Sequence, residues 1–136
     1  MNKYIFITVL LFLSVGISSA QVSIVANKSV QDNGLTTLKV ASIFSLEQVK
    51  WSSGDRIVVF DQNGDAKKDF YAGIGKDPLS MKKDWMKKQL TGEAKAPETL
   101  SSDADVIAKV SSTPGSIGYV NSSNVSSAVK VLLEIK

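Results

Sequence analysis

The chain has 136 residues, 43% of them hydrophobic and 21% charged, with a net charge of +3 and neither cysteine nor histidine. That is the composition of one globular domain. It excludes a disordered tail, a disulfide-stapled scaffold, thiolate metal sites and acylation at a lipobox cysteine, and the charge is too small to argue for nucleic acid as a partner.

The amino terminus has the pattern of an export leader. Asn2-Lys3 is a short basic start, Tyr4 to Val15 is an almost unbroken apolar run, and Ser18-Ser19-Ala20 offers the small residues that a signal peptidase reads. The apolar run is shorter than the roughly 20 residues of a membrane span. Residues 1–20 are therefore expected to be a signal peptide and 21–136 the mature domain, periplasmic or secreted and not a lipoprotein.

The mature chain alternates strands with helices. Gln21 to Ala26 reads as a first strand, and Thr36 can cap a helix in which Val40, Ile43 and Phe44 share a face. Trp51-Ser52-Ser53-Gly54-Asp55 is a turn, and Arg56-Ile57-Val58-Val59-Phe60 has the near-continuous apolar character of a strand buried on both faces. Asp61-Gln62-Asn63-Gly64-Asp65 then turns the chain into a helix carrying Phe70 and Tyr71.

Asp77-Pro78 is a cap followed by the preferred first helical residue, and the helix runs to Leu90, ahead of Thr91-Gly92. Met81 aligns with Trp85 and Met86 with Leu90, while Lys82, Lys83, Lys87 and Lys88 spread over the remaining surface. Glu93 to Leu100 reads as a loop. Ser102 caps a helix whose first turn carries Asp103 and Asp105 and whose apolar face is Val106, Ile107 and Val110. Pro114-Gly115 ends it, and Ile117 to Val120 is a strand in which Gly118 marks close approach of another backbone. After a serine-rich connection, Val129 to Lys136 alternates as a half-buried last strand. Alternating elements of these lengths predict an α/β domain around a small mixed or parallel sheet flanked by helices.

Thr113-Pro114-Gly115-Ser116-Ile117-Gly118-Tyr119-Val120, preceded by an acidic-capped, valine-rich helix, resembles the phosphate-binding proteins of ABC importers, and more narrowly their short exported relatives. Leu35, Val40, Ile43-Phe44, Trp51-Ser52-Ser53-Gly54, Ile57-Val58-Val59, Phe70, Gly75-Lys76-Asp77-Pro78, Trp85 and Thr91-Gly92 follow that family's pattern in register. The resemblance implies a single lobe of a type 2 periplasmic binding protein fold. Phosphate or another small oxyanion would be its ligand, and an ABC permease or envelope protein its partner. One lobe cannot enclose a ligand, so tight binding calls for a homodimer or a second protein.

In the family the phosphate contacts come from an arginine and a following Ser-Gly-Thr at a helix start. Counting back from Phe70 places Phe60 at the arginine and Gly64-Asp65-Ala66 at the Ser-Gly-Thr stretch. Phenylalanine cannot make arginine's bidentate bonds, and an aspartate repels an anion. The resemblance thus implies a solute-binding lobe with ligand binding weakened or lost.

Asn63, Gly64, Asp65, Ala66 and Lys67 are the anion-binding candidates, because backbone amides and a helix dipole at such a turn suit an anion. An ordinary turn with Asp65 as the helix cap is the competing reading. Trp51 and Trp85 read as core. With no histidine, no cysteine, no nucleophile-elbow serine and no calcium-loop spacing, the chain is expected to be neither an enzyme nor a metal or cofactor binder. The alternative function is an envelope interaction or structural module that kept the lobe without its ligand.

Overall fold

A computed structural model describes residues 21–136; the signal-peptide reading of residues 1–20 lies outside the described residues. Five strands, β1 (Val22–Ala26), β2 (Val58–Gln62), β3 (Glu98–Leu100), β4 (Ser116–Asn121) and β5 (Lys130–Ile135), form one sheet in the order β3-β2-β4-β1-β5. β2 runs parallel to both β3 and β4, whereas β1 is antiparallel to β4 and β5, so the sheet is mixed. Helices α1 (Thr37–Phe44), α2 (Ala66–Ile74) and α3 (Pro78–Leu90) cover one face; α4 (Asp103–Ser112) covers the other.

Each helix begins where a side chain can take an orphan amide, with one exception. Thr36 accepts from Lys39 N, Asp77 from Ser80 N and Ser102 from Asp105 N, at 3.2, 3.1 and 3.2 Å. These are the caps read from the sequence. At α2 the cap position belongs to Asp65, but its side chain makes no capping bond.

The main core lies between the sheet and α1–α3. There Phe70 stacks on Tyr119 with centroids 3.7 Å apart and planes 7° from parallel, and Phe44 tilts against both rings. Trp51 and Trp85 are buried here, as expected, and their indole N–H groups donate to Gly115 O at 2.9 Å and Phe44 O at 2.6 Å. The smaller core under α4 contains Val25, Phe60, Val106, Val110, Val120 and Val129. Gly118 lets α4 approach, since a Cβ there would stand 2.7 Å from Val106 Cγ1.

Two boundaries differ from the sequence reading. β2 begins at Val58 rather than Arg56 and continues through Asp61 and Gln62, which are fully buried strand residues and not the start of a turn. Both Asp61 oxygens and Gln62 Nε2 find internal partners, which offsets much of the usual burial penalty, and Gln62 Oε1 is left without one among the described residues. Glu98–Leu100, read as loop, is a short edge strand pairing with Phe60–Gln62. Its side chains are exposed or half-buried, so it has no apolar alternation to betray it.

Candidate functional site

Connections from neighbouring strands leave the sheet in opposite directions at one place. From the end of β2 the chain passes to α2 on one face, and from the end of the adjacent β3 it passes to α4 on the other. Such a divergence beyond the carboxyl ends of parallel strands is where open α/β sheets form a binding crevice. A depression of about 390 Å³ lies there, lined by Gly64, Asp65, Ser101, Ser102, Asp103, Ala104, Asn121 and Asn124. The amino-terminal ends of α2 and α4 both border it, which brings two positive helix ends together.

The predicted residues Asn63 to Lys67 make up the β2–α2 turn. Asn63 is exposed and its N–H donates to Leu100 O at 2.9 Å, tying the turn to the end of β3. Its Oδ1 accepts from Lys67 Nζ at 3.1 Å, and Gly64 O accepts from Lys67 N at 3.1 Å. Asp65 is exposed, and Ala66 is buried in the main core. Because Asp65 caps nothing with its side chain, the first amides of α2 are not consumed by it.

Gly64 sits directly over Gln62. A Cβ on Gly64 would be 2.6 Å from Gln62 Oε1 and 3.4 Å from Ser101 O, so any larger residue here obliges the buried Gln62 amide to shift. Gln62 is wholly buried; its Nε2 donates to Asp103 Oδ1 at 2.8 Å and to Tyr119 O at 2.6 Å, while Oε1 has no partner among the described residues.

Asp103 is the residue around which the depression closes. Besides Gln62, its carboxylate accepts from Asn121 N at 3.0 Å and Asn124 Nδ2 at 2.8 Å, both through Oδ2. Three donors from β2, β4 and the Ser122–Asn124 turn thus converge on one carboxylate at the positive end of α4. Sequence reasoning assigned Asp103 only to the helix dipole and missed Gln62, Asn121 and Asn124. The nearest signal was the polar pair Asp61-Gln62 directly after an apolar run.

Asp61 points to the opposite face. It accepts from Tyr71 Oη at 3.1 Å and from Tyr119 Oη at 2.5 Å, with no exposure to solvent. Burial, then the adjacent Asp61 charge and the hydrogen bond to it, push both phenols far above the ordinary tyrosine range, so they stay protonated and donate. Phe60 faces the α4 core and is 4% exposed, which leaves it outside the depression. Among the described residues no three acidic side chains gather as a metal-holding group, and no helix is long and apolar enough to cross a membrane.

No protein-family model matches the sequence, and no curated protein does. Solved structures do match. A protein from Clostridium perfringens assigned as a phosphate ABC transporter substrate-binding protein, with phosphate bound, superposes with a TM-score of 0.68 at 15% identity, over 83% of this chain and 45% of that one. This is the fold of one periplasmic-binding-protein lobe. An ABC-type phosphate transport receptor from Vibrio cholerae gives 0.65 at 16% identity, over 83% of this chain and 46% of that one. PstS from Borrelia burgdorferi gives 0.60 at 16%, with 83% and 47% covered. The chain therefore spans less than half the length of these binding proteins, and the lobe fold expected from the resemblance is the one it has. Their names describe binding proteins and transport receptors, not enzymes.

Proposed function

We propose that this chain is an exported, non-catalytic binding-protein lobe in which its own Asp103 carboxylate has taken the seat of an oxyanion ligand. The observation that carries this is the convergence of Gln62 Nε2, Asn121 N–H and Asn124 Nδ2 on that carboxylate. Convergent donors at a helix amino terminus are what an external phosphate would need, and an internal acceptor already attached to the chain competes with it at high effective concentration. Asp65 on the rim adds a second like charge. In this reading the protein works in the periplasm or outside the cell as an interaction module related to phosphate import, with an ABC permease or another envelope protein as its partner.

Calorimetric titration with phosphate and sulfate tests it. Neither anion should give measurable heat at low millimolar concentration; micromolar affinity for phosphate would overturn the reading.

A second reading rests on a separate observation: the Asp65 side chain caps no amide of α2, and although the N–H groups of Asn63 and Lys67 are taken by Leu100 O and Gly64 O, the Lys67 ammonium stands close by at Asn63 Oδ1. Asn63, Gly64, Asp65, Ala66 and Lys67 would then hold a small oxyanion weakly, and tight capture would need a homodimer or a second protein as the opposite wall. Phosphate added to the isotopically labelled protein should shift the amide resonances of residues 63–67 selectively. Resonances that stay put at tens of millimolar phosphate would remove this reading.

A further inference from the structure

The outer face of α3 has no partner among the described residues. Only Met81 and Trp85 of this helix are buried, and they hold it against α1, helped by Trp85 Nε1 on Phe44 O and Lys88 Nζ on Ser45 O at 3.1 Å. Leu79, Met86 and Leu90 are 70%, 64% and 85% exposed. Met86 and Leu90, which pair at helical spacing, are thus not core residues. Positions 79, 86 and 90 fall within about 40° of one another around a helix turning 100° per residue, so the three form one ridge.

Lysines flank that ridge on both sides. Lys82 lies on one flank and Lys83 and Lys87 on the other, all exposed. The acidic residue of the helix, Asp84, lies away from the ridge, in a depression that it lines with Lys87, Lys88, Glu47 and Glu93. Exposed apolar residues with lysine on both flanks, and the carboxylates set back behind Lys87, make a pattern that a bilayer interface can accept.

We propose that α3 docks this protein on an anionic membrane surface, with Leu79, Met86 and Leu90 entering the headgroup region and Lys82, Lys83 and Lys87 reaching the lipid phosphates. Charge complementarity selects this occupant. Two copies meeting along the ridge would bring lysine against lysine, and a single helix of 13 residues offers far less than the area of a stable dimer. A convex ridge also suits a fluid that moulds around it better than a rigid protein groove. The inference does not depend on whether the depression beside Asp103 holds an anion.

The test is flotation of the protein as exported, its amino terminus established by mass, with vesicles of phosphatidylglycerol and phosphatidylethanolamine and, separately, of phosphatidylcholine. Binding should be confined to the anionic vesicles and should weaken steeply with salt. Each single Lys82→Gln, Lys83→Gln or Lys87→Gln change should weaken it about fivefold. The exposed-site variant Leu79→Ser/Leu90→Ser should bind at least tenfold less while keeping its melting temperature. Equal binding to both vesicle types, no binding to either, or full binding by the serine variant would each overturn the proposal. So would a concentration-dependent dimer that the serine variant abolishes, since the ridge would then be a contact between copies.

Discussion

Phe60 and Asp61 are neighbours on β2 whose side chains enter opposite cores, and that alternation governs what either position tolerates. Placing arginine at 60 would drive a guanidinium into the apolar cluster of Val25, Val106, Val110 and Val120. Phe60→Arg should therefore lower stability by about 3–5 kcal/mol in urea unfolding and gain no phosphate affinity. Asp61 depends on its two phenols in a pH-dependent way. Their folded pKa values lie above the unfolded value of about 10, so the stabilisation they give is complete below that pH and lost above it. Between pH 10 and 12, stability should fall by about 1.4 kcal/mol per pH unit for each tyrosine. Tyr71→Phe should make the measured slope shallower by that amount relative to the unmutated protein.

Elements with strong local chemistry were legible in the sequence. The caps at Thr36, Asp77 and Ser102 all accept the amides assigned to them, and Ser102→Ala should cost about 1 kcal/mol. Gly118 reads as a point of close backbone approach, but what approaches is the side chains of α4: Gly118→Ala should cost about 1–3 kcal/mol because Val106 Cγ1 and Val110 Cγ2 already occupy the space. Thermal unfolding of the two variants checks both values. The errors have a common cause. Asp61 and Gln62 look like turn residues to any rule based on polarity, and only their tertiary partners Tyr71, Tyr119 and Asp103 make them strand residues. β3 exists because β2 supplies a neighbour, which no three-residue pattern can announce. Met86 and Leu90 show the converse, since a correct helical spacing does not say which of two apolar ridges meets the core.

At the scale of the whole molecule, strand order came from pairings across most of the chain. β1 near the amino terminus is held between β4 and β5 near the carboxyl terminus, and those contacts leave no local trace. The alternation of strands and helices sufficed for the α/β lobe but not for the mixed order β3-β2-β4-β1-β5. The candidate site was half legible for the same reason. Its β2–α2 turn is contiguous and was located as Asn63 to Lys67, whereas the bond from Gln62 to Asp103 joins residues 41 positions apart. That bond puts a carboxylate where two helix ends converge, and the proposed distinction between a self-occupied lobe and an oxyanion receptor rests on it.

Phosphate titration of Asp103→Ala beside the unmutated protein addresses that distinction most directly. Loss of the carboxylate should cost about 1–3 kcal/mol by leaving its donors short of an acceptor. The variant should then bind phosphate at millimolar concentration or better and recover thermal stability as phosphate is added, while the unmutated protein responds to neither measurement. Phosphate binding by the unmutated protein that is abolished in the variant would show Asp103 to be part of a working receptor, and would contradict the account.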